Sequence, residues 1–336
     1  MPSSSELRQN LISGDWIIVA PGRDARPKFL DVKRPARKPT PKKNCSFEES
    51  NLRATDQWPP LAAIPNVKKW NTIVLPNRYP ALAPSPTCSV VLHDGIYAGR
   101  SGVGRHDLII TRDHHKNFAE LTPRHAQEVF TLFQKLCKES VADPCTLYAV
   151  PFWNWGLLAG ASVWHPHYQF LSLPVIPAHS ARSLVGAKSY FKKNHRCAQC
   201  DIIRFEKKQK GSPRNRIIAE NASAIALAPY ASKFPFEVRV MPKRHHAFFH
   251  ATKPDAIHGM VILLQEVFHR LKKHLHDPDY NVFIHEAPLD GKPHEYHHWH
   301  IEIIPRVSTP AGFELSTGVY INSTAPETVA EILRHA

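Results

Sequence analysis

The sequence predicts an α+β fold in which two similar halves, residues 1–180 and 181–336, share a largely antiparallel sheet crossed by long helices. Three observations predict it. Short β-type segments alternate with two long amphipathic helical patterns. The same succession of marks occurs twice: a His-His pair, a helix, a strand, a turn, then a strand carrying His-x-His. Thirty prolines in 336 residues argue against a simple helical bundle.

The first half opens with the strand segment DWIIVA, followed by a basic, Pro-rich stretch at 28–44 that reads as a solvated linker. NTIVLP is the next strand. A Gly/Pro-rich excursion at 84–104 reads as a surface loop before the strand DLIIT. The first helix covers 122–140, where Thr122 can cap and Pro123 suits the first turn. Ala126, Val129, Phe130, Phe133, Leu136 and Cys137 form its apolar stripe. TLYAV and YQFLSLPVI follow. A basic stretch from KKNHR to KKQKGSPRNR, with CAQC embedded, reads as a break between the halves. AIALA and FEVRVM then precede the second helix, 253–275, with Pro254 at its start. Ile257, Met260, Val261, Leu264, Val267, Phe268 and Leu271 form its stripe. YNVFI and HIEII complete the pattern. His114 and His165 stand 51 positions apart and His245 and His298 stand 53 apart, so the two registers agree closely.

The net charge of +14 fits either nucleic acid or a phosphate-rich small substrate. No run approaches the ~18 apolar residues of a membrane span. MPSSSELRQN lacks an apolar core of the signal-peptide type. The six cysteines form no compact framework and read as thiols of a reducing, cytoplasmic compartment.

Four residues of the second half, Cys197, Cys200, His245 and His298, supply the nitrogen and sulfur ligands of a closed tetrahedral zinc site. A redox pair is the other reading of the CxxC. The corresponding first-half set is Cys45, Glu48, His114 and His165, a second site in which a carboxylate stands in for one thiolate. His115 and His246 read as supporting or surface groups. In WHPHYQ, an extended backbone would point His165, His167 and Gln169 to one face. With His165 taken by a metal, His167 is left as a free imidazole, a nucleophile or base near neutral pH. Gln169 is neutral and can donate its amide N–H to a phosphoryl oxygen. Gly160 to Ser162 add backbone N–H groups and a hydroxyl. That arrangement suits attack on phosphorus.

These residues, with GDWIIVAPGRDARP, LPNRYPAL, GASVWHPHYQ, PFEVRVMPKRHHAFF, HHWHIEIIPR and GFELSTGVYIN, resemble the galactose-1-phosphate uridylyltransferase family, the transferase branch of the histidine-triad superfamily. The resemblance runs over nearly the full length, and HPHxQ is its most specific piece. LSLPVIP and the CxxC look closer to the ADP-glucose phosphorylase and archaeal-like branch. The resemblance implies two histidine-triad-like halves, zinc, and a ping-pong reaction. A nucleoside diphosphate sugar would give a covalent nucleotidyl-histidine, collected by a sugar 1-phosphate or by phosphate. It makes His167 the nucleophile, with Gln169 and Ser162 on the transferring phosphoryl group. Asn154 would bind the nucleotide or orient the nucleophile. Arg23 and Arg26 would lie near the substrate phosphates, and Asn77 and Arg78 in the nucleotide-binding segment. His298 matches a metal ligand; His300 matches another in the galactose enzymes but is spare beside a CxxC. A homodimer is expected. The sequence departs from the family at CSFE, at Tyr168, where a small residue is usual, and at Trp164. Tyr168 would point to the opposite face and pack.

Two rival readings have their own support. One is a phosphorylase or hydrolase of the same superfamily, acting on ADP-glucose, dinucleoside polyphosphates or adenylyl sulfate. The other is a zinc-stabilised nucleic-acid-binding protein, favoured by the charge but lacking basic residues interleaved with aromatics.

Overall fold

A computed structural model describes residues 4–25 and 37–336, apart from the side chains of residues 24 and 25; all counts refer to these. The strands are β1 (Glu6–Gln9), β2 (Trp16–Val19), β3 (Ala62–Ile64), β4 (Thr72–Pro76), β5 (Val91–Asp94), β6 (Tyr97–Arg100), β7 (Arg105–Thr111), β8 (Tyr148–Trp155), β9 (His167–Leu173), β10 (Ile217–Glu220), β11 (Ala224–Leu227), β12 (Val238–Pro242), β13 (Tyr280–His285), β14 (His300–Pro305) and β15 (Tyr320–Asn322). The helices are α1 (Glu49–Leu52), α2 (Pro123–Val141), α3 (Ala178–Asn194), α4 (Ala198–Lys208), α5 (Pro254–Leu275), α6 (Gly312–Thr317) and α7 (Pro326–His335).

Ten strands form one sheet, in the order β3-β4-β7-β9-β8-β13-β14-β12-β11-β10, with every pairing antiparallel. Read inward from its two edges, this sheet gives the same succession twice. The halves meet where β8 pairs with β13, Asn154 opposite Asn281. A small sheet of β1, β2 and β15 contains a parallel pair, β2 with β15.

The duplicated helices follow from local sequence. The Thr122 hydroxyl accepts the His125 N–H, and Pro123 occupies the first turn of α2. Pro254 opens α5 in the same way, without a side-chain cap. Their apolar stripes are buried together against the sheet in one core. Strand β9 alternates in register with that core. Tyr168, Phe170 and Ser172 are buried, whereas His167, Gln169 and Leu171 are half-buried on the opposite face. Tyr168 meets Phe118, Phe133 and Trp153 edge-on, with ring centroids 6.2, 6.5 and 5.6 Å away. Burying a ring of this size contributes about 1.5–3 kcal/mol. The bulky residue after His-Pro-His therefore packs away from the site.

Three expectations need correction. The basic break between the halves is largely helical, taking in the end of α3 and all of α4, and CAQC lies where α4 begins. The excursion at 84–104 contains the exposed β5–β6 hairpin. The six cysteines are not all thiols: Cys88 and Cys145 form a disulfide, with Cα atoms 4.9 Å apart. It ties the excursion to the turn between α2 and β8. No helix among the described residues is long and apolar enough to cross a membrane.

Candidate active site and metal centres

The approach to β9 is a tight turn. Gly156 has φ +86°, and a Cβ there would lie 2.1 Å from the Asp279 carboxylate, so only glycine fits. Asp279 holds the turn by accepting the Leu158 N–H at 2.7 Å and two N–H groups of Arg37. Gly160 ends the turn at φ +87°. Ser162 is exposed, and Trp164 packs on Trp155 and donates to His115 Nδ1 at 3.3 Å.

The strand expected to carry both histidines starts only at His167; His165 lies in the bend before it, and the two have different hydrogen-bonding duties. His165 is fully buried. Its Nε2–H donates to the Thr111 carbonyl at 2.7 Å, so Nδ1 presents a lone pair. Burial pushes its pKa down to about 4. His167 donates from Nδ1 to the His165 carbonyl at 2.9 Å, leaving its lone pair on Nε2. Burial lowers its pKa as well, which keeps the ring neutral near pH 7. The Phe47 ring sits 5.3 Å from it.

Two amides flank this imidazole, and each has its oxygen engaged by the protein. Asn154, on β8, accepts at Oδ1 from Asn281 Nδ2 at 2.7 Å. Gln169 has Oε1 3.1 Å from His106 Nε2. Asn77 lies against the same His106 ring, and Arg78 is exposed beside Tyr79. Arg23 is exposed on a three-ten turn after β2 of the small sheet, away from the large sheet's strands in sequence order. Arg26 lies outside the described residues. His106, Asn281, Asp279 and Arg37 carry no motif. His106 shares a strand face with Leu108 and Ile110, so only the β7–β9 register could have singled it out.

The ligand-type residues converge in both halves. Cys197, Cys200, His245 and His298 bring ligand atoms within 4.8 Å of one another. Cys200 Sγ is 3.4 Å from Nδ1 of both His245 and His298. The hydrogen bond from Cys200 drives the Cys197 thiol strongly toward thiolate. In the first half, Cys45, His114 and His165 converge to the same limit. Cys45 Sγ is 3.6 Å from His165 Nδ1. Glu48 Oε1 lies 2.8 Å from His114 Nδ1 and 3.9 Å from His165 Nδ1 but is not in this three-residue convergence. His114 Nε2 meets the Thr40 carbonyl at 2.7 Å, which turns Nδ1 toward the cluster. Both groups could hold a metal ion. His115 is exposed and His246 half-buried, outside either group. A third group, His285, His300 and Glu302, borders a cavity of roughly 280 Å³. His300 thus stands outside the CxxC group.

A duplicated sheet in which each half runs a His-x-His strand out of a cysteine–histidine cluster defines a two-lobed relative of small histidine-strand proteins. Residues 2–177 match the family model "Galactose-1-phosphate uridyl transferase, N-terminal domain", and residues 97–336 match "Domain of unknown function (DUF4921)". The chain is 32% identical to the ADP-glucose phosphorylase of Arabidopsis thaliana over 98% of this chain and 93% of that protein. It is 22% identical to the galactose-1-phosphate uridylyltransferase of Thermotoga maritima over 98% of each. A crystal structure of an Arabidopsis thaliana ADP-glucose phosphorylase with bound ADP-glucose superposes with a TM-score of 0.84 at 29% identity, covering 99% of both chains. The chain belongs to the galactose-1-phosphate uridyl transferase family.

Proposed function

We propose that this enzyme transfers a nucleotidyl group from a nucleoside diphosphate sugar, through His167, to inorganic phosphate or a sugar 1-phosphate. The observation that carries the reading is the bond from His167 Nδ1 to the His165 carbonyl, which leaves Nε2 as a neutral lone pair beside Gln169. Nε2 attacks the α-phosphorus. The bond from phosphorus to the bridging oxygen breaks, and sugar 1-phosphate leaves with the electron pair. An oxygen of the acceptor then attacks phosphorus, the P–N bond breaks and His167 is regenerated. Phosphate yields a nucleoside diphosphate; a sugar 1-phosphate yields a new nucleotide sugar.

Gln169 and Asn154 direct amide N–H groups toward the transferring phosphoryl group, and Ser162 adds a hydroxyl; the backbone N–H groups of Gly160 and Ala161, expected from the sequence to help, are instead spent on the Leu157 and Gly156 carbonyls inside the turn. By the family resemblance Arg23 and Arg26 would serve the phosphates, and Asn77 and Arg78 would seat the nucleotide. We favour an adenine nucleotide and phosphate as acceptor, because the chain is 32% identical to the Arabidopsis phosphorylase against 22% to the Thermotoga uridylyltransferase.

Zinc suits both cysteine–histidine groups. Zn–S bonds of ~2.3 Å and Zn–N bonds of ~2.0 Å at tetrahedral angles separate sulfur from nitrogen by about 3.5 Å. The Sγ to Nδ1 distances of 3.4 and 3.6 Å match that spacing. Cys197, Cys200, His245 and His298 would hold one ion, and Cys45, Glu48, His114 and His165 the other. In the first half the ion would fix His165, and through its carbonyl the ring of His167.

The test is a panel of UDP- and ADP-sugars labelled in the α-phosphate, each with and without phosphate and sugar 1-phosphates. An acid-labile, base-stable protein adduct is expected, absent in His167→Ala. Persistence of label in that variant would refute the assignment.

A further inference from the structure

Gln169 serves the reaction only if its N–H end faces the substrate. An amide side chain can be turned over at little cost unless something distinguishes its two ends. One group on β7 does so. The His106 ring receives the backbone N–H of Ala81 at Nδ1, at 3.0 Å. A backbone N–H is only a donor, so Nδ1 must carry the lone pair, and a neutral ring then carries its proton on Nε2. That Nε2 lies 3.1 Å from Gln169 Oε1. An N–H there accepts no second donor, so it selects the oxygen of Gln169 and turns the amide nitrogen the other way. Asn77 completes the arrangement. Its Oδ1 accepts the Tyr79 N–H at 2.9 Å, so its Nδ2 is a donor; lying 3.1 and 3.4 Å from the two ring nitrogens, nearly equidistant, it sits over the ring face, in line with neither the Nε2–H nor the Nδ1 lone pair, and leaves both free for Gln169 and Ala81. The Asn77 backbone N–H also donates to the His106 carbonyl, at 2.9 Å.

We infer that His106 is a positioning residue that locks the orientation of the Gln169 amide and ties it to the seating of the Asn77–Ala81 segment. This rests on the reading of His167 and Gln169 given above. The chain of contacts runs from the Ala81 N–H to Nδ1, through the ring to the Nε2–H, and on to Gln169 Oε1. When the segment is seated, the donor end of Gln169 faces the phosphoryl group. When it is displaced, Nδ1 loses its donor, the ring is free to carry its proton on Nδ1, and Nε2 then attracts the amide nitrogen instead. A displaced segment therefore turns an acceptor oxygen toward the phosphates, where it repels them.

The experiment compares single-turnover formation of the nucleotidyl adduct from saturating radiolabelled ADP-glucose in the full-length protein. His106→Leu is expected to slow it about 10- to 100-fold, the scale on which one oriented donor acts. His106→Gln, which keeps an N–H facing Gln169, should stay within about threefold of wild type. In a Gln169→Ala background the His106→Leu change should cost less than about twofold, because the group it orients is gone. Costs that multiply in the double variant would overturn the inference, as would equal losses in His106→Leu and His106→Gln. A second readout needs no turnover: ¹⁵N NMR of the wild-type His106 ring should show a bare Nδ1 and a protonated Nε2. The reverse tautomer refutes the lock even in an inactive protein. Absence of adduct in the wild type, with every nucleotide sugar tried, would refute the functional reading, and the ring tautomer would still decide the role of His106.

Discussion

The two His-x-His segments hold their ring nitrogens in like ways and differ most sharply in the charge of the residue that follows two positions on. His165 and His298 both turn Nδ1 into a cysteine-containing cluster. His167 and His300 both hold Nδ1 against the carbonyl two residues back, at 2.9 and 3.1 Å. Two residues further on, the first half has Gln169 and the second has Glu302. Their cross-strand partners differ to match: Leu108 stands opposite Gln169, and Arg239 stands opposite Glu302 and pairs with it. Burial pushes the Glu302 carboxyl up, but Arg239 outweighs it and holds the group well below its usual range. A carboxylate tied to arginine beside His300 repels a phosphoryl group. A neutral amide beside His167 admits one. Burial also depresses His300 well below the ordinary histidine range, so the imidazole itself does not separate the halves. The difference lies in the residue beside it.

The comparison can be broken most severely at the histidines. His167→Ala should lower adduct formation by ~10³-fold or more, as loss of a covalent nucleophile does, whereas His300→Ala should stay within about threefold. Adduct kinetics on the two variants check this, and equal losses would erase the distinction between the halves. Next comes the neighbouring group. Gln169→Glu copies the second half's charge without its arginine, and should cost about 10²- to 10³-fold in turnover with the fold intact. A Leu108→Arg change added to it should recover part of the fold stability but none of the rate. The clusters separate the halves more gently. Cys197→Ser should remove about one metal equivalent and destabilise by about 3 kcal/mol or more, read by metal analysis and denaturant titration. Glu48→Ala removes one carboxylate ligand and leaves Cys45, His114 and His165, so its metal loss should be partial. The smallest contrast is in the crossing helices. Thr122→Ala should cost about 1 kcal/mol, while Lys253→Thr should gain about 0.5–1 kcal/mol by giving α5 the cap that α2 has.

Much of this contrast was legible in the sequence. The two His-His marks, the two helices and the strands around them recur in register, because each half must bury the same helix stripe against the same strands. The elements that were missed lack that signature. Helix α3 buries only Leu184 and Ala187. Helix α4 buries Glu206, which pairs with Arg216, so its inward face reads as polar. Every residue of the β5–β6 hairpin is exposed, so no alternation marks it. Cys88 and Cys145 lie 57 residues apart, and nothing local announces their bond. His106 was invisible for another reason. Its significance lies in which atom of a neighbouring strand it faces, a matter of register that one strand's sequence does not contain.

The pairing of β8 with β13 has a further consequence. The Asn281 side chain that engages Asn154 comes from the half that lacks His167, across the seam that joins the two. That half thus supplies a side chain to the surroundings of the other's candidate site. Severed at the seam, the first half would expose β8 as a bare, sticky edge and lose the contact that aims Asn154. What reads as one continuous sheet is therefore held at its centre by backbone pairing between two halves of like strand order, so the setting of Asn154 in one half depends on the folding of the other.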